Sequence, residues 1–157
     1  MEKEALKRIF EFLEDNEEHN APFRWKILNN IPLTKEDLNV KGNLDLYEYK
    51  SLTSLPKGLK VGSNLDVSHT PKLKSLPSDL DVKGNIYMGG TKITSLPEGL
   101  KVGGTMYVYE AELSSLPKGL EVGGDLYLRE VDLKNYSDDE LREMIKPGFI
   151  KGEIVRD

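Results

Sequence analysis

The sequence contains no cysteine, which excludes disulfide bonds, thiol nucleophiles and cysteine-ligated metal sites, and which fits a reducing compartment. Histidine is nearly as scarce, because His19 and His69 are the only two and lie in different parts of the chain. No arrangement of serine, aspartate or glycine around them is typical of a catalytic triad or a metal site. We therefore predict a protein without enzymatic activity, metal or other cofactor.

Long apolar runs and an excess of basic charge are also missing. Residues 1–8 carry charges where a signal peptide needs an unbroken apolar run, and no stretch is long enough to span a bilayer. Lysine and arginine total 22 against 27 aspartates and glutamates, a net charge of −5, and no basic face is concentrated enough to follow a nucleic-acid backbone. We predict a cytoplasmic protein that contacts neither a membrane nor nucleic acid directly.

What the sequence has in abundance is one repeated unit. Its clearest copy spans residues 93–108, and a partial sixth copy is recognisable at residues 150–155. A valine common to the copies recurs at spacings of 21, 21, 20 and 20 residues, as Val40, Val61, Val82, Val102 and Val122. Self-similarity at a fixed period of this size predicts a solenoid in which each repeat stacks on its neighbours.

Each repeat predicts one coil with three parts. Alternating apolar and polar residues, as in Asn43-Leu44-Asp45-Leu46, indicate a strand that pairs in parallel with the strands of neighbouring coils about 4.8 Å away. The Ser-Leu-Pro segment that follows is kept extended by its proline, so the return side of the coil is not helical. Glycine recurs just before each strand, for example at Gly42, Gly84 and Gly104, and is assigned to a tight corner that needs positive φ.

Both ends of the chain depart from the repeat. Leu6, Ile9, Phe10 and Leu13 have helical spacing and predict an amphipathic helix over about residues 2–17. Near the other end, Ser137 and Glu140 form a capping-box pattern, which predicts a helix before the last strand. We expect one domain over residues 1–157, with a helical N-terminal cap at 1–38, repeats at 39–133, and a capping helix and last strand at 134–157.

The pattern Leu-x-x-Leu-Pro-x-x-Leu followed by Leu-x-Val or Leu-x-Leu resembles the leucine-rich repeats of bacterial effector proteins. It looks closer still to small leucine-rich-repeat-like proteins of bacteria and tailed phages with Ser-Leu-Pro-x-Gly-Leu-x-Val-Gly-Gly repeats, and it covers roughly residues 31–133. The chain departs from ordinary leucine-rich repeats where an asparagine normally follows the strand, so we expect no asparagine ladder: those positions hold Thr70, Thr91, Ala111 and Val131.

This resemblance implies a fold and a kind of function. The expected fold is a mainly β, leucine-rich-repeat-like solenoid with helical caps, one parallel strand per coil of 20–21 residues, about six rungs and an extended convex side. The implied function is binding of another protein and, for a phage member acting in the host cytoplasm, interference with a host system. The ubiquitin-ligase activity of the effectors requires a cysteine in a separate domain, and this chain has neither.

The outward positions of the predicted strands form the candidate site. Tyrosine is over-represented at binding hot spots, and a rigid ring loses little entropy on binding. Tyrosine also favours strands, so the same rings are equally well explained as stabilising the sheet. Gly89 and Gly90 are expected to leave a gap for a partner side chain. The candidate binding residues are Asp45, Tyr47, Asp66, Tyr87, Tyr107, Tyr109, Tyr127 and Arg129.

Two functional hypotheses follow. The first is a non-catalytic protein–protein interaction module, of the kind with which a phage or bacterium binds and blocks a host defence protein. The alternative is an acidic decoy or ligand of a nucleic-acid-binding protein, which uses Asp45, Asp66 and the acidic N-terminal helix. We expect a monomer, or a weak dimer through the last strand, whose edge carries Lys151, Glu153, Arg156 and Asp157 as protection against further pairing.

Overall fold

The computed structural model describes residues 3, 4, 7, 21–29 and 31–156. Across these residues the fold is a mainly β solenoid whose parallel strands recur about 21 residues apart, as the repeat predicts. The amphipathic helix predicted over about residues 2–17 lies for the most part outside the described residues, although residues 3, 4 and 7 are helical. No helix in the described part of the chain is long and apolar enough to cross a membrane.

Each coil contributes two short parallel strands instead of the single strand that the sequence predicts. The first sheet contains the valine positions, with β1 (Asn39–Val40), β3 (Lys60–Val61), β5 (Asp81–Val82), β7 (Lys101–Val102), β9 (Glu121–Val122) and β11 (Phe149–Ile150). The second sheet contains the predicted strands, with β2 (Leu44–Asp45), β4 (Leu65–Asp66), β6 (Ile86–Tyr87), β8 (Met106–Tyr109), β10 (Leu126–Arg129) and β12 (Ile154–Val155).

The first sheet was missed because its strands are too short to show alternation. Only the valine of each pair faces inward, so the sequence contains no period of two at this place. The strands nevertheless form regular backbone hydrogen bonds: Lys60 N donates to Leu38 O at 2.8 Å, and Gly62 N donates to Val40 O at 2.7 Å. The coil therefore turns a corner between two paired segments.

The solenoid makes about four regular turns, so the expectation of about six was too high. Six strands in each sheet enclose five intervals, and only the first four have the regular length of 20 or 21 residues. The fifth interval, from Val122 to Ile150, takes 28 residues because a helix replaces the extended return. In the regular coils the Ser-Leu-Pro segments form neither helix nor strand, as their prolines predict.

The core is a continuous column of aliphatic side chains inside the coils. In one representative coil, all six inward side chains are at most 6% exposed: Leu65, Val67, Leu73, Leu76, Leu80 and Val82. Each fully buried side chain of this type stabilises the fold by about 1.5 to 3 kcal/mol. Two buried hydroxyls in the same column are satisfied locally, since Thr70 donates to Val67 O at 2.6 Å and Thr91 donates to Met88 O at 3.0 Å.

A ladder of side-chain hydrogen bonds runs along the corner that precedes β2 and its equivalents. In each step, a side-chain oxygen of one coil accepts a hydrogen bond from the backbone N–H of the next coil. The distances range from 2.8 to 3.3 Å, and the residues in order are Asn43, Asn64, Asn85, Thr105, Asp125 and Glu153, the last only as donor. We expected no asparagine ladder because the corner after the strand lacks asparagine. A comparable ladder forms instead at the corner before the strand.

The glycines at this corner are required by close packing and not by positive φ. The glycines with positive φ are Gly58, Gly90, Gly99 and Gly119, and none of them lies at the corner before the strands of the second sheet. At Gly84, by contrast, an added Cβ would lie 2.7 Å from the carbonyl carbon of Ser63 in the preceding coil. Neighbouring coils therefore approach too closely here for a side chain, which corrects the predicted reason for these glycines.

Helices lie at both ends of the stack. At the N-terminal end, α1 (Ala21–Leu28) buries Phe23 in the core, and Lys26 pairs with Asp37 at 2.6 Å. The hydrogen bonds from Lys26 and Thr34 lower the pKa of Asp37, although burial opposes them as the largest single influence. At the C-terminal end, α2 (Asp138–Met144) begins with the predicted capping box, in which Ser137 and Glu140 bond reciprocally.

Arg142 of α2 closes the exposed end of the last coil. Its guanidinium donates to Ile150 O at 2.6 Å and to Gly152 O at 2.7 Å. In the preceding coil the equivalent carbonyls, of Val122 and Gly124, accept bonds from backbone N–H groups of the coil that follows. The side chain of Arg142 therefore replaces the donors of a further rung, a role that the sequence analysis did not assign to it.

Candidate functional site

The second sheet places the predicted outward residues in one continuous column. Asp45 pairs in register with Asp66, and Tyr87, Tyr107 and Tyr127 follow on successive strands, after which Val155 occupies the same position in β12. We call Tyr87, Tyr107 and Tyr127 the tyrosine ladder. Parallel pairing fixes its spacing, because equivalent residues of neighbouring strands are held about 4.8 Å apart.

The rings of the tyrosine ladder stack on each other. The centroids of Tyr87 and Tyr107 are 4.7 Å apart with an interplanar angle of 5°, and those of Tyr107 and Tyr127 are 4.9 Å apart at 20°. Such pairs contribute about 0.5 to 1.5 kcal/mol each beyond the area that they bury. The ring faces are thus largely covered by one another, and the ladder presents ring edges and hydroxyl groups outward.

Tyr107, the central ring of the ladder, has a raised pKa. Burial raises the pKa of Tyr107 above 10.0, and the neighbouring phenols of Tyr87 and Tyr127 raise it further, as does Asp125. A phenol with a raised pKa keeps its proton well above pH 7. The hydroxyl of Tyr87 accepts a hydrogen bond from Asn85 Nδ2 at 3.2 Å, so this end of the ladder is joined to the polar corner.

Asp45 and Asp66 shape the turns that follow their strands. Asp45 Oδ1 accepts a hydrogen bond from Tyr47 N at 2.9 Å, and Asp66 Oδ1 accepts one from Ser68 N at 2.8 Å. Aspartates commonly form turns of this kind with the residue two positions later. Within the described residues, no group of three or more histidines, aspartates and glutamates is placed to hold a metal ion.

A second outward column lies two residues further along each coil. Tyr109 leans across it, with its ring centroid 6.0 Å from that of Tyr107 and tilted by 51°. It also packs over Gly89, where an added Cβ would lie 3.3 Å from Tyr109 Cδ2. Gly89 is consequently buried, and the imidazole of His69 lies against Gly90. Rings of neighbouring coils thus border both glycines, and both glycines line the open groove described below.

The turn residues beside this column form a further set that the sequence analysis missed. All five have positive φ, between 49° and 64°, at the same place in successive coils; we call Glu48, His69, Gly90, Glu110 and Glu130 the turn column. This backbone conformation suits glycine and costs other residues about 1 to 3 kcal/mol. The sequence does contain an indication of this turn, because Gly90 occupies the repeat position that holds glutamate in other coils. Three exposed glutamates thus line one edge of the sheet.

An open groove of about 490 Å³ lies along the second column and the turn column. It contains four of the predicted site residues, namely Tyr47, Tyr109, Tyr127 and Arg129, and it adds His69, Glu110 and Glu130. The ring of Tyr47 meets that of His69 edge to face, with centroids 5.4 Å apart. Asp45, Asp66, Tyr87 and Tyr107 lie on the same sheet but do not line the groove.

The electrostatics of the groove combine neutral rings with carboxylates. The pKa of Tyr109 is raised mainly by burial and further by the phenols of Tyr107 and Tyr127, while Arg129 acts in the opposite direction. Among the residues that the structure describes, the groove lining contains one arginine, Arg129, and no lysine. The Nε of Arg129 lies 3.9 Å from Glu130 Oε1. The lining therefore combines two carboxylates, one guanidinium and three phenols.

Comparison of the chain with protein-family models, with curated proteins and with solved structures found no match. The solenoid architecture thus stands on the geometry of the coils alone. Whether the coils belong to the leucine-rich-repeat type stays a prediction from the residue pattern.

Proposed function

We propose that this chain is a non-catalytic protein–protein interaction module that binds its partner through the tyrosine ladder and the adjoining groove. The observation that carries the proposal is the stacking of Tyr87, Tyr107 and Tyr127 beside an open groove lined by further tyrosines. Tyrosine and arginine are the residue types most enriched among binding hot spots, and both are present on this face.

The stacking supports the proposal because it reduces the cost of binding. Ordering a flexible side chain at an interface costs about 0.5 to 1.5 kcal/mol, and these rings are already held by their neighbours in the free protein. The structural and the binding interpretations of the ladder are therefore compatible. A ladder that stabilises the sheet is also a preorganised surface of ring edges and hydroxyl groups.

The alternative, an acidic decoy of a nucleic-acid-binding protein, has weaker support on this surface. Asp45 and Asp66 each accept a hydrogen bond from their own turn, and the acidic N-terminal helix lies outside the described residues. The two proposals differ in their response to salt. Binding by an acidic decoy weakens steeply as salt rises, whereas the contribution of the tyrosine rings, measured as the loss of binding in a variant without them, changes little with salt.

Affinity capture with matched variants tests the proposal. The test variant carries Tyr87→Ala, Tyr107→Ala and Tyr127→Ala. The control carries Lys60→Ala, Lys101→Ala and Glu121→Ala, three outward positions of the first sheet. Both are first shown to be folded by circular dichroism. We expect a protein that the wild type and the control retain from host lysate and that the test variant loses; retention by all three would contradict the proposal.

The identity of the partner as a host defence protein rests on the resemblance to phage and bacterial proteins alone. If the module blocks its partner, a stoichiometric amount of the purified chain inhibits the partner's activity, and the tyrosine variant does not. Binding without inhibition would support the interaction module and contradict the inhibitory role.

A further inference from the structure

The groove is long and narrow. It begins at Tyr47, which follows β2, and reaches Val155 in β12, so it passes all six strands of the second sheet. Five intervals between strands of about 4.8 Å give a length of about 24 Å. An extended chain advances about 3.4 Å per residue, so about seven residues of extended peptide match this length. The shape favours a linear segment over a compact ligand.

The charge of the groove favours a cationic occupant. Glu110 and Glu130 lie one coil apart on its edge, and Glu48 continues the same column. In the part of the chain that the structure describes, no lysine or arginine pairs with Glu110, and Arg129 approaches only Glu130, at 3.9 Å. A basic segment would therefore find two carboxylates one coil apart, and one of them, Glu110, has no ion-pair partner among the described residues.

The rings of the groove favour the same occupant. Tyr47 is 47% exposed, and Tyr109 is partly exposed beside the glutamates of the turn column. Aromatic faces attract lysine and, more often, arginine, whose planar guanidinium stacks on a ring while it bonds to a carboxylate. A groove that combines phenol rings with carboxylates accordingly suits arginine side chains better than acidic or purely apolar ones.

We infer that the groove binds an extended basic segment of the partner, about seven residues long, whose arginine or lysine side chains contact Glu110, Glu130 and the rings of Tyr47 and Tyr109. This inference rests on the proposed function and specifies the part of the partner that is recognised. The tyrosine ladder then forms the adjoining wall, and the segment runs parallel to the axis of the solenoid.

The probe is the heptapeptide acetyl-Gly-Arg-Gly-Arg-Gly-Arg-Gly-amide, titrated into protein whose tyrosine rings are isotopically labelled. The matched control peptide replaces each arginine by citrulline, which has the same shape without the charge, and a second control replaces each arginine by glutamate. NMR follows the ring signals of Tyr47 and Tyr109 in the groove, with Tyr136, which does not line it, as internal reference. Full-length protein is used throughout.

We expect the arginine peptide to shift the signals of Tyr47 and Tyr109 and to bind at least about tenfold more tightly than the citrulline peptide. The double variant Glu110→Gln, Glu130→Gln should weaken this binding at least about fivefold. Its matched control, Glu36→Gln with Glu98→Gln, removes the same charge from exposed positions outside the groove and should change binding less than about twofold.

Three results would overturn the inference: equal binding of the arginine and citrulline peptides, stronger binding of the glutamate peptide, or saturation without any shift of Tyr47 and Tyr109. Competition separates this inference from the proposed function. If a partner is captured through the tyrosine ladder but the arginine peptide does not displace it, the proposed interaction module is supported and the inference of a basic segment is wrong. If the peptide binds in the groove but no protein depends on the ladder for capture, the proposed module fails.

Discussion

The two sheets of the solenoid share one spacing and one strand direction, yet their outward columns contain different chemistry. In the first sheet the column alternates in charge, as Lys60, Asp81, Lys101 and Glu121. Lys101 pairs with Glu121 at 3.1 Å, and Asp81 pairs with Lys83 at 3.0 Å. In the second sheet the corresponding column contains three stacked tyrosines.

This difference shows how one backbone presents two kinds of surface. The charges of the first sheet neutralise one another within the chain, and exposed ion pairs contribute only about 0 to 1 kcal/mol each. The rings of the second sheet cover each other's faces and leave rigid edges and hydroxyl groups exposed. Charged side chains of the first sheet thus pair with other side chains of the chain, whereas the second sheet offers a preorganised surface, and the candidate site lies there.

The largest expected effect concerns the corner that joins the two sheets. Gly104→Ala places a Cβ against Asn85 Oδ1, which accepts the ladder hydrogen bond from Thr105 N, and 2.9 Å from the carbonyl carbon of Gly84, so a side chain and backbone of the preceding coil must both move. We expect a loss of about 2 to 3 kcal/mol in the free energy of unfolding, measured by urea denaturation. The control is Gly42→Ala at the open first coil, where nothing lies within 4 Å of the added Cβ, and it should change stability by less than about 0.5 kcal/mol. Equal effects would show that coil packing does not require these glycines.

The next effect concerns the end at which both sheets stop. Arg142→Met removes the donors to Ile150 O and Gly152 O, and we expect a loss of about 2 kcal/mol in the free energy of unfolding. Because two carbonyls of the edge are then free, self-association should also rise with protein concentration in sedimentation experiments. Lys146→Met, an exposed residue just after α2, is the control. A monomer of unchanged stability would contradict the capping role of Arg142.

A smaller effect compares the outward columns directly. Tyr107→Leu removes two stacked contacts, for which we expect a loss of about 1 to 2 kcal/mol in the free energy of unfolding. Lys101→Leu at the equivalent place of the first sheet removes one exposed ion pair, and the expected loss is below about 0.5 kcal/mol. Thermal and urea denaturation of both variants checks this. A larger loss at Lys101 would reverse our ranking of the two faces.

The smallest effect is the pH dependence of stability that arises from Tyr107. Burial raises the pKa of Tyr107 in the folded chain above its unfolded value of 10.0, so the folded state holds the phenolic proton more tightly. The stability that this gives is fully present below pH 10 and is lost as the pH rises through the folded pKa. Denaturation at increasing alkaline pH should therefore show a steeper decline for the wild type than for Tyr107→Phe. The control Tyr136→Phe should decline as the wild type does.

The sequence predicts the features of this fold that depend on periodicity. The spacing of Val40, Val61 and Val82 gives the coil length, and the alternation around Tyr87 and Tyr107 places the rings in one column, as the register confirms. Alternation needs several residues to be visible. A two-residue strand such as Lys60–Val61 falls below that limit, and the first sheet was therefore missed.

The features that were not predicted depend on contacts between coils. Nothing local distinguishes a glycine that needs positive φ from one such as Gly84 that must admit a neighbouring backbone. Likewise, the side chain of Arg142 reaches carbonyls eight and ten residues later only because α2 folds back over the last coil. The groove depends on turn residues such as Glu110, whose backbone conformation is set by the stack as a whole.

The central claim is that the tyrosine ladder is a binding surface as well as a stabilising one, and the affinity of the purified partner tests it most directly. Calorimetric titration would compare the wild type, the variant with alanine at Tyr87, Tyr107 and Tyr127, and the variant with alanine at Lys60, Lys101 and Glu121. We predict that the tyrosine variant, while still folded, binds at least about a hundredfold more weakly, and that the control stays within about twofold of the wild type. Unchanged affinity of a folded tyrosine variant would show that the ladder serves the sheet alone.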